Sequence, residues 1–238
     1  MRKIVLFTFI IIIVACSTDK QYRIALVTGG HSYDSVNFVR VFQSYGNVSF
    51  DHFVQPEANG LYSSDSIDKY DAIVFYDLYQ DISPDQKDAF RKMLNDGKGI
   101  VFLHHSIASY QDWGEFLNIL GARYYLNPSV SKGDSVPAST FAEGEDVNVK
   151  VLDPKHPVLK DIEDFTIHDE VYDYVEIIPG IHPLLGTDHP NSMPYVAWTN
   201  QYGKSRIVYI QSGHDNNAYI DPNFRKLVYQ AIEWVAKK

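Results

Sequence analysis

The chain has 238 residues, a formal net charge of −9 and a single cysteine, Cys16. This length fits one large domain or two small ones. The acidic balance argues against a nucleic-acid partner, because such binding depends largely on contacts of Lys and Arg with phosphates. Since no cysteine follows position 16, disulfides and thiol catalysis are excluded from the rest of the chain.

The first fifteen residues are typical of a secretory signal peptide. Arg2 and Lys3 precede an apolar stretch from 4 to 15, which is shorter than the roughly 20 residues that a membrane-spanning helix needs. Residues 13–16, IVAC, resemble the bacterial lipobox. This resemblance implies that Cys16 is lipidated and becomes the mature N-terminus.

The predicted division of the chain follows from this pattern. It consists of a lipoprotein signal peptide at 1–15, a short tether at 16–21 and one domain at 22–238. Because Ser17 rather than aspartate follows the cysteine, the lipid is expected to anchor the protein outside the cytoplasm, at the outer membrane, and to be its only membrane contact. The alternative is an ordinary signal peptide with an unmodified cysteine.

In the first half of the chain, short apolar segments are interspersed with amphipathic ones. The predicted strands lie at 22–28, 48–54, 71–76 and 100–103, and the predicted helices begin at Ser32, Ser83 and Trp113. Proline and aspartate follow Ser83, which is a strong helix start. The order of these elements predicts an α/β fold with a mostly parallel central sheet and right-handed crossovers.

The second half of the chain has a different pattern. Val147, Val149 and Val151 recur at strand spacing, and a polar cluster lies at 165–174. The remaining predicted elements are strands at 181–185, 194–198 and 206–211, of which the last two form a hairpin, and a final helix from Asp221. No internal repeat or linker interrupts the chain, so a single domain is predicted.

Histidines follow three of the predicted strands. His31 follows the first strand, His104 and His105 follow the buried strand at 100–103, and His214 follows the last. Ligands of open parallel sheets bind at the carboxyl ends of the strands, so these side chains are expected to share a crevice. Because neighbours in a strand point to opposite faces, only one of His104 and His105 is expected to face the crevice, and we favour His104.

A carboxylate is expected to join these histidines from the polar cluster, with Glu170 as the first candidate and Asp169 as the second. Several imidazoles with a carboxylate suit zinc or a similar divalent metal, for which His31, His104 and His214 are the candidate ligands. The same set suits acid–base catalysis without a metal. For each histidine alone, the alternative is a structural hydrogen bond to a loop carbonyl.

Several sequence blocks lie in a distinctive order along nearly the whole chain after the signal peptide. They are 97–99 with the strand and His104, 120–123 (LGAR), 153–159 (DPKHPVL), 168–172 (HDEVY), 194–198, 202–206 (YGKSR) and 212–215 (SGHD). Together they resemble the ThuA-like (trehalose-utilisation) family. The resemblance implies a class I glutamine amidotransferase-like fold, a flavodoxin-like three-layer sandwich, and a role linked to trehalose and related sugars, including oxidised (3-keto) sugars.

The nucleophile of the related amidotransferases is absent. Those enzymes need a cysteine directly after the central strand, and His104 stands in that place here. Glutamine amidotransferase activity is therefore excluded. Ser106 and Ser109 lack the G-x-S-x-G setting of a hydrolase nucleophile, so neither is predicted to replace the cysteine.

The predicted site has a catalytic and a substrate-binding part. The catalytic candidates are His104, Glu170, His214 and His31, and the substrate-binding candidates are Tyr172, Trp113, Asp215, His105 and Asp169. Core packing is the alternative for Trp113. The set predicts an enzyme that hydrolyses, or eliminates from, a glycoside or 3-keto sugar by acid–base or metal-assisted chemistry. The alternative is a non-catalytic sugar-binding lipoprotein that presents its ligand to a partner enzyme.

Overall fold

The computed structural model describes residues 20–237. The predicted signal peptide and Cys16 lie outside the described residues. Between Lys20 and Lys237, no helix is both long enough and apolar enough to cross a membrane.

The first part of the structure alternates strands and helices. Its elements are β1 (Tyr22–Gly29), α1 (Ser35–Gln43), β2 (Val48–Val54), β3 (Ala72–Asp77), α2 (Pro84–Asp96), β4 (Gly99–Leu103), α3 (Phe116–Leu120) and β5 (Ala122–Arg123). Short 3₁₀ helices cover Glu57–Ser63, Asp65–Lys69 and His104–Ala108.

The second part consists mostly of strands. Its elements are β6 (Ser129–Ser131), β7 (Asp134–Val136), β8 (Thr140–Val151), β9 (Phe165–Asp173), β10 (Glu176–Ile177), β11 (His182–Gly186), β12 (Tyr195–Tyr202), β13 (Ser205–Ile210), α4 (Asn216–Ile220) and α5 (Pro222–Val235). A 3₁₀ turn at Pro157–Leu159 lies between β8 and β9.

Nine strands form the central sheet, in the order β2-β1-β3-β4-β13-β12-β11-β8-β9. The strands from β2 to β13 in this order are parallel, whereas those beyond β13 pair antiparallel. The predicted α/β fold is confirmed, but the sheet is mixed in its second half. The cause is local, because the short turn between β12 and β13 can join only antiparallel strands.

Apart from the edge strand β2, the parallel strands are buried on both faces, as their apolar sequences predict. Every residue of β3 and of β4 is buried. In β1, Ile24 and Leu26 pack into an apolar core with α1 and α5, whereas Ala25 and Val27 pack into a second core with α2 and α3. Strand alternation thus divides the apolar residues between two helix-covered faces.

Helix starts follow from capping chemistry, with two corrections to the sequence predictions. Ser83 caps α2 in a reciprocal capping box with Gln86, as predicted. In α1 the cap is Asp34, not Ser32, and its carboxylate accepts from Asn37 N at 3.1 Å. The third helix begins at Phe116 rather than Trp113, because a turn precedes it, with Phe116 N donating to the Trp113 carbonyl.

The ribbon of β8 and β9 returns to the parallel strands. Although β9 lies at the far end of the strand order, the Asp169 carboxylate accepts from Gly213 N, just after β13, at 2.8 Å. A register shift between Ala142 and Glu145 marks a bulge in this ribbon, with Gly144 at φ +71°. Bulges bend and twist a strand pair, and this one lies next to the residues that β9 delivers to the site.

Candidate active site

His104 occupies a sharp turn at the carboxyl end of β4. Its φ is +51°, which is uncommon for a residue other than glycine, and the chain passes directly from the strand into a 3₁₀ turn. The side chain is only 1% exposed. Its Nδ1 lies 2.7 Å from the carbonyl of Gln211, and because a carbonyl only accepts, Nδ1 carries a proton. His104 Nε2 therefore faces the other polar groups of the site.

Three side chains meet at His104 Nε2. Glu170 Oε2 lies 3.0 Å from it, the Tyr172 hydroxyl 2.9 Å and His214 Nδ1 3.3 Å. Glu170 Oε2 is also 3.4 Å from His214 Nδ1. The second half of β9 supplies Glu170 and Tyr172, while the loops after β4 and β13 supply the two histidines.

Charge is strongly perturbed in this cluster. Burial alone would raise the pKa of Glu170, but hydrogen bonds from His104 and His214 outweigh it and hold that pKa well below its ordinary value. The same hydrogen bond with Glu170 raises the pKa of His214. Burial, followed by the negative charge of Glu170, raises the pKa of Tyr172 well above its usual range. Glu170 is thus a carboxylate near neutral pH, and Tyr172 is a neutral phenol.

Asp169 holds this cluster in place. Its carboxylate accepts from the backbone N–H groups of Glu170 at 2.9 Å, Gly213 at 2.8 Å and His214 at 3.0 Å. Gly213 has φ +126°, which favours glycine, and its carbonyl accepts from the Tyr76 hydroxyl at 2.7 Å. One buried carboxylate therefore ties β9 to the loop that carries His214.

Both histidines of the His104–His105 pair line the cavity, whereas strand alternation predicted only one. The reason is that β4 ends at Leu103, and the 3₁₀ turn that follows does not alternate faces. The His105 ring lies 4.9 Å from His31 and 4.3 Å from Tyr76 between ring centroids. Burial and the neighbouring His104 and His31 hold its pKa well below the ordinary value, so His105 is neutral.

His105 also carries an unused acceptor. Its Nε2 is buried and has no partner among residues 20–237. In the neutral imidazole with its proton on Nδ1, Nε2 can accept a hydrogen bond from a ligand.

These groups line a cavity of about 180 Å³ at the carboxyl end of the parallel strands. The polar wall consists of His31, His104, His105, Glu143, Glu170, Tyr172 and His214. The apolar wall consists of Leu78, Ile107, Ala108, Tyr124, Leu126 and Phe141. Leu126 and Phe141 remain 40% and 59% exposed, respectively, so the mouth of the cavity is apolar.

The other predicted residues have different contacts from those expected. Trp113 packs with Phe116 in an apolar core and does not line the cavity. Asp215 caps α4 by accepting from Asn217 N at 2.7 Å. Asp169 binds backbone rather than the cavity, and His31 contacts His105 rather than joining His104 and His214. Glu170 is the third group of that cluster instead.

Sequence reasoning missed several contributors. The Gln211 carbonyl and Tyr76 lie at the carboxyl ends of β13 and β3, so the strand-end rule that identified the histidines also applies to them. Phe141 and Glu143 come from β8, and no local pattern indicates that this strand curves back over the site.

The fold and site define an α/β protein with a ligand cavity at the carboxyl end of its parallel strands. A family model described as trehalose utilisation (ThuA) matches residues 23–235. The chain therefore belongs to the ThuA family, and this membership suggests a carbohydrate-related role. No curated protein sequence matches it.

Solved structures share the fold. A ThuA-like protein from Parabacteroides merdae is 20% identical with a TM-score of 0.77, covering 92% of this chain and 91% of that one. A second, from Bacteroides uniformis, is 19% identical with a TM-score of 0.64, covering 92% and 93%. A β-galactosidase from Bacillus circulans sp. alkalophilus, 12% identical with a TM-score of 0.57, is matched over 91% of this chain but 32% of its own length. At these identities the likeness concerns the fold alone.

Proposed function

We propose that the protein is an enzyme that cleaves a glycosidic bond in a glycoside or an oxidised (3-keto) sugar, by acid–base or metal-assisted chemistry. The observation that carries the proposal is the convergence of Glu170, His104 and His214 at one wall of the cavity. Membership of the ThuA family supports a sugar as the substrate. A cavity of about 180 Å³ has room for a single sugar ring, with the rest of the substrate at the mouth.

The residues divide into proton donors and acceptors. Glu170, ionised at neutral pH, is a charge partner rather than a proton donor. His214, whose pKa is raised, protonates the leaving oxygen. The neutral His105, with its free Nε2, accepts a proton from the substrate.

These roles fit an elimination from a keto-glycoside. The base removes the proton from the carbon next to the keto group, and that electron pair forms a double bond as the glycosidic C–O bond breaks. The departing oxygen takes its proton from the acid. Hydrolysis differs in that water then adds to the sugar.

Turnover tests this proposal. The protein is incubated with trehalose, other disaccharides and their 3-keto forms, and products are identified by mass spectrometry. We expect cleavage of at least one of them, reduced about 10²- to 10⁴-fold in Glu170→Gln and His214→Asn. His168→Asn, on the same strand but at the surface, is the matched control and should equal the wild type.

The rival function predicts a different result. A sugar-binding lipoprotein would bind one of these compounds without converting it, and the Glu170→Gln protein would change affinity with no rate to lose. Binding without product in the folded protein would therefore overturn the enzymatic proposal.

We also propose that the protein is a lipoprotein, cleaved before Cys16 and anchored outside the cytoplasm at the outer membrane. The basic start, short apolar segment and IVAC sequence support this. Cys16→Ala should move the protein from the membrane to the soluble fraction of fractionated cells. Unchanged membrane association would contradict it.

The flavodoxin-like three-layer arrangement is likewise a proposal. The two apolar cores support it, because residues of β1 alternate between a core with α1 and α5 and a core with α2 and α3.

A further inference from the structure

We propose that His104, Glu170 and His214 are the ligands of a single divalent cation of the zinc type, with a further coordination position open to the cavity. The inference concerns the cavity of the proposed function but does not depend on any particular reaction. It differs from the sequence prediction, in which His31 was the third ligand.

The orientation of His104 suits a metal ligand. Its Nδ1 donates to the Gln211 carbonyl at 2.7 Å, so in the neutral imidazole the lone pair of Nε2 is directed at the other two groups. Histidines that bind metals usually donate their second ring N–H to a carbonyl or carboxylate in this way, which fixes the tautomer and the ring orientation.

Three possible ligand atoms converge in the cluster. His104 Nε2, His214 Nδ1 and Glu170 Oε2 lie within 3.0–3.4 Å of one another. Each offers a lone pair when the two imidazoles are neutral, which is the form that binds a metal. A divalent cation between them binds all three lone pairs at once.

The distances match those of a coordination sphere. Ligand atoms about 2.0–2.1 Å from a tetrahedral zinc ion lie roughly 3.3 Å from one another. The three observed separations are 3.0, 3.3 and 3.4 Å. Two imidazoles and one carboxylate with an open position are also a donor set that catalytic zinc sites use.

The protein holds the ligands ready without the ion. Asp169 binds the backbone N–H of both Glu170 and His214, so two of the ligands are fixed to one buried side chain. Tyr172, whose hydroxyl lies 2.9 Å from His104 Nε2, borders the cluster. Since these donors belong to rigid backbone and packed side chains, little ordering is required when the ion binds.

Metal titration of the purified full-length protein tests the site. After chelation, the wild type should bind one equivalent of Zn²⁺ or Co²⁺ by calorimetry, and Co²⁺ should give visible absorption bands. X-ray absorption of the zinc form should show scattering from two imidazoles. We expect His104→Ala, Glu170→Gln and His214→Ala to lose about 100-fold or more in affinity. His168→Ala, which removes an exposed histidine paired with Asp146, should bind like the wild type.

The results of these experiments distinguish a failure of the metal site from a failure of the proposed function. A folded wild type that binds neither Zn²⁺ nor Co²⁺ stoichiometrically overturns the proposal, and so does binding that the three ligand variants retain. These results do not require that the variants fold, because the wild-type titration and absorption data stand alone. Sugar cleavage by a protein without metal affinity would leave the proposed function intact, whereas tight metal binding without cleavage would refute that function and leave the metal site.

Discussion

Each half of β9 takes part in a histidine–carboxylate pair, and the two pairs lie in opposite environments. In the first half, His168 Nδ1 lies 2.7 Å from Asp146 Oδ1 at the surface. In the second half, Glu170 Oε2 lies 3.0 Å from His104 Nε2 in the interior. Solvent screens the first pair, whose contribution to stability is small. The second pair has lost its hydration and needs compensating bonds from the protein.

The two halves of β9 differ in whether the protein supplies such compensating bonds. The strand alternates between buried and exposed residues up to His168 and is continuously buried from Asp169 to Tyr172. Asp169, with three backbone donors, has no equivalent in the exposed half among the hydrogen bonds of the described residues. Interior placement, rather than residue type, makes the second half a site.

The largest expected effect is that of Asp169→Ala, which removes the support of the buried half. Three backbone N–H groups lose their acceptor, and each buried unpaired group costs about 1–3 kcal/mol. We expect the free energy of unfolding in urea to fall by about 5 kcal/mol. A loss no larger than that of the exposed control Asp146→Ala would contradict the expected difference between the buried and the exposed half of β9.

A buried carboxyl elsewhere in the fold makes the stability of the protein depend on pH. Burial raises the pKa of Asp77 to about 7, against hydrogen bonds such as that from Gln55 Nε2 at 2.8 Å. The folded state therefore binds an extra proton between about pH 4 and 7, and the free energy of unfolding falls as pH rises through that window.

Asp77→Asn should remove this dependence. Relative to the wild type, the variant should gain roughly 4 kcal/mol between pH 4 and pH 8. The amide oxygen that replaces one carboxylate oxygen can still accept the hydrogen bond from Gln55 Nε2. Urea titrations at both pH values measure the gain, and a wild type and variant with parallel pH profiles would contradict it.

The smallest expected effect is that of His168→Gln. The hydrogen bond to Asp146 raises the pKa of His168. The pair's contribution is therefore present below about pH 6.5 and lost as pH rises through the folded-state pKa. Because both side chains are exposed, the midpoint of urea unfolding at physiological salt should be unchanged at pH 5.5 and at pH 8. A shift comparable to that of Asp169→Ala would contradict the expected difference between the exposed and the buried half of β9.

Local signals predicted much of the fold. The apolar run of β4 between a turn and two histidines, and the Ser83 cap of α2, are determined by nearby residues, and both lie where they were expected. The antiparallel pairing of β8 and β9 with the rest of the sheet depends on contacts between distant segments. For that reason the sequence predicted that a carboxylate of the polar cluster at 165–174 joins the histidines, but not that this cluster forms a strand paired with β8.

In the site, too, some features are determined by nearby residues and others by contacts between distant segments. The strand-end rule brought His104 and His214 to one place, and the cavity contains both. It also counted His31 among the candidate metal ligands, whereas the His31 ring contacts His105, because an assignment by strand order carries no information on how closely side chains approach. It also could not separate His104 from His105, since the answer depends on where the strand stops and the 3₁₀ turn begins.

The Asp169 hydrogen bonds have a consequence for folding order. They join positions 44 and 45 residues apart, and the bond between His104 and Gln211 joins positions 107 apart. Contacts of such long range form late, because their loop-closure entropy must first be overcome. A nascent chain that ends before β13 contains His104 and Glu170 but neither the Gln211 carbonyl nor His214. The cluster is therefore completed only when β13 and the loop that follows it have docked.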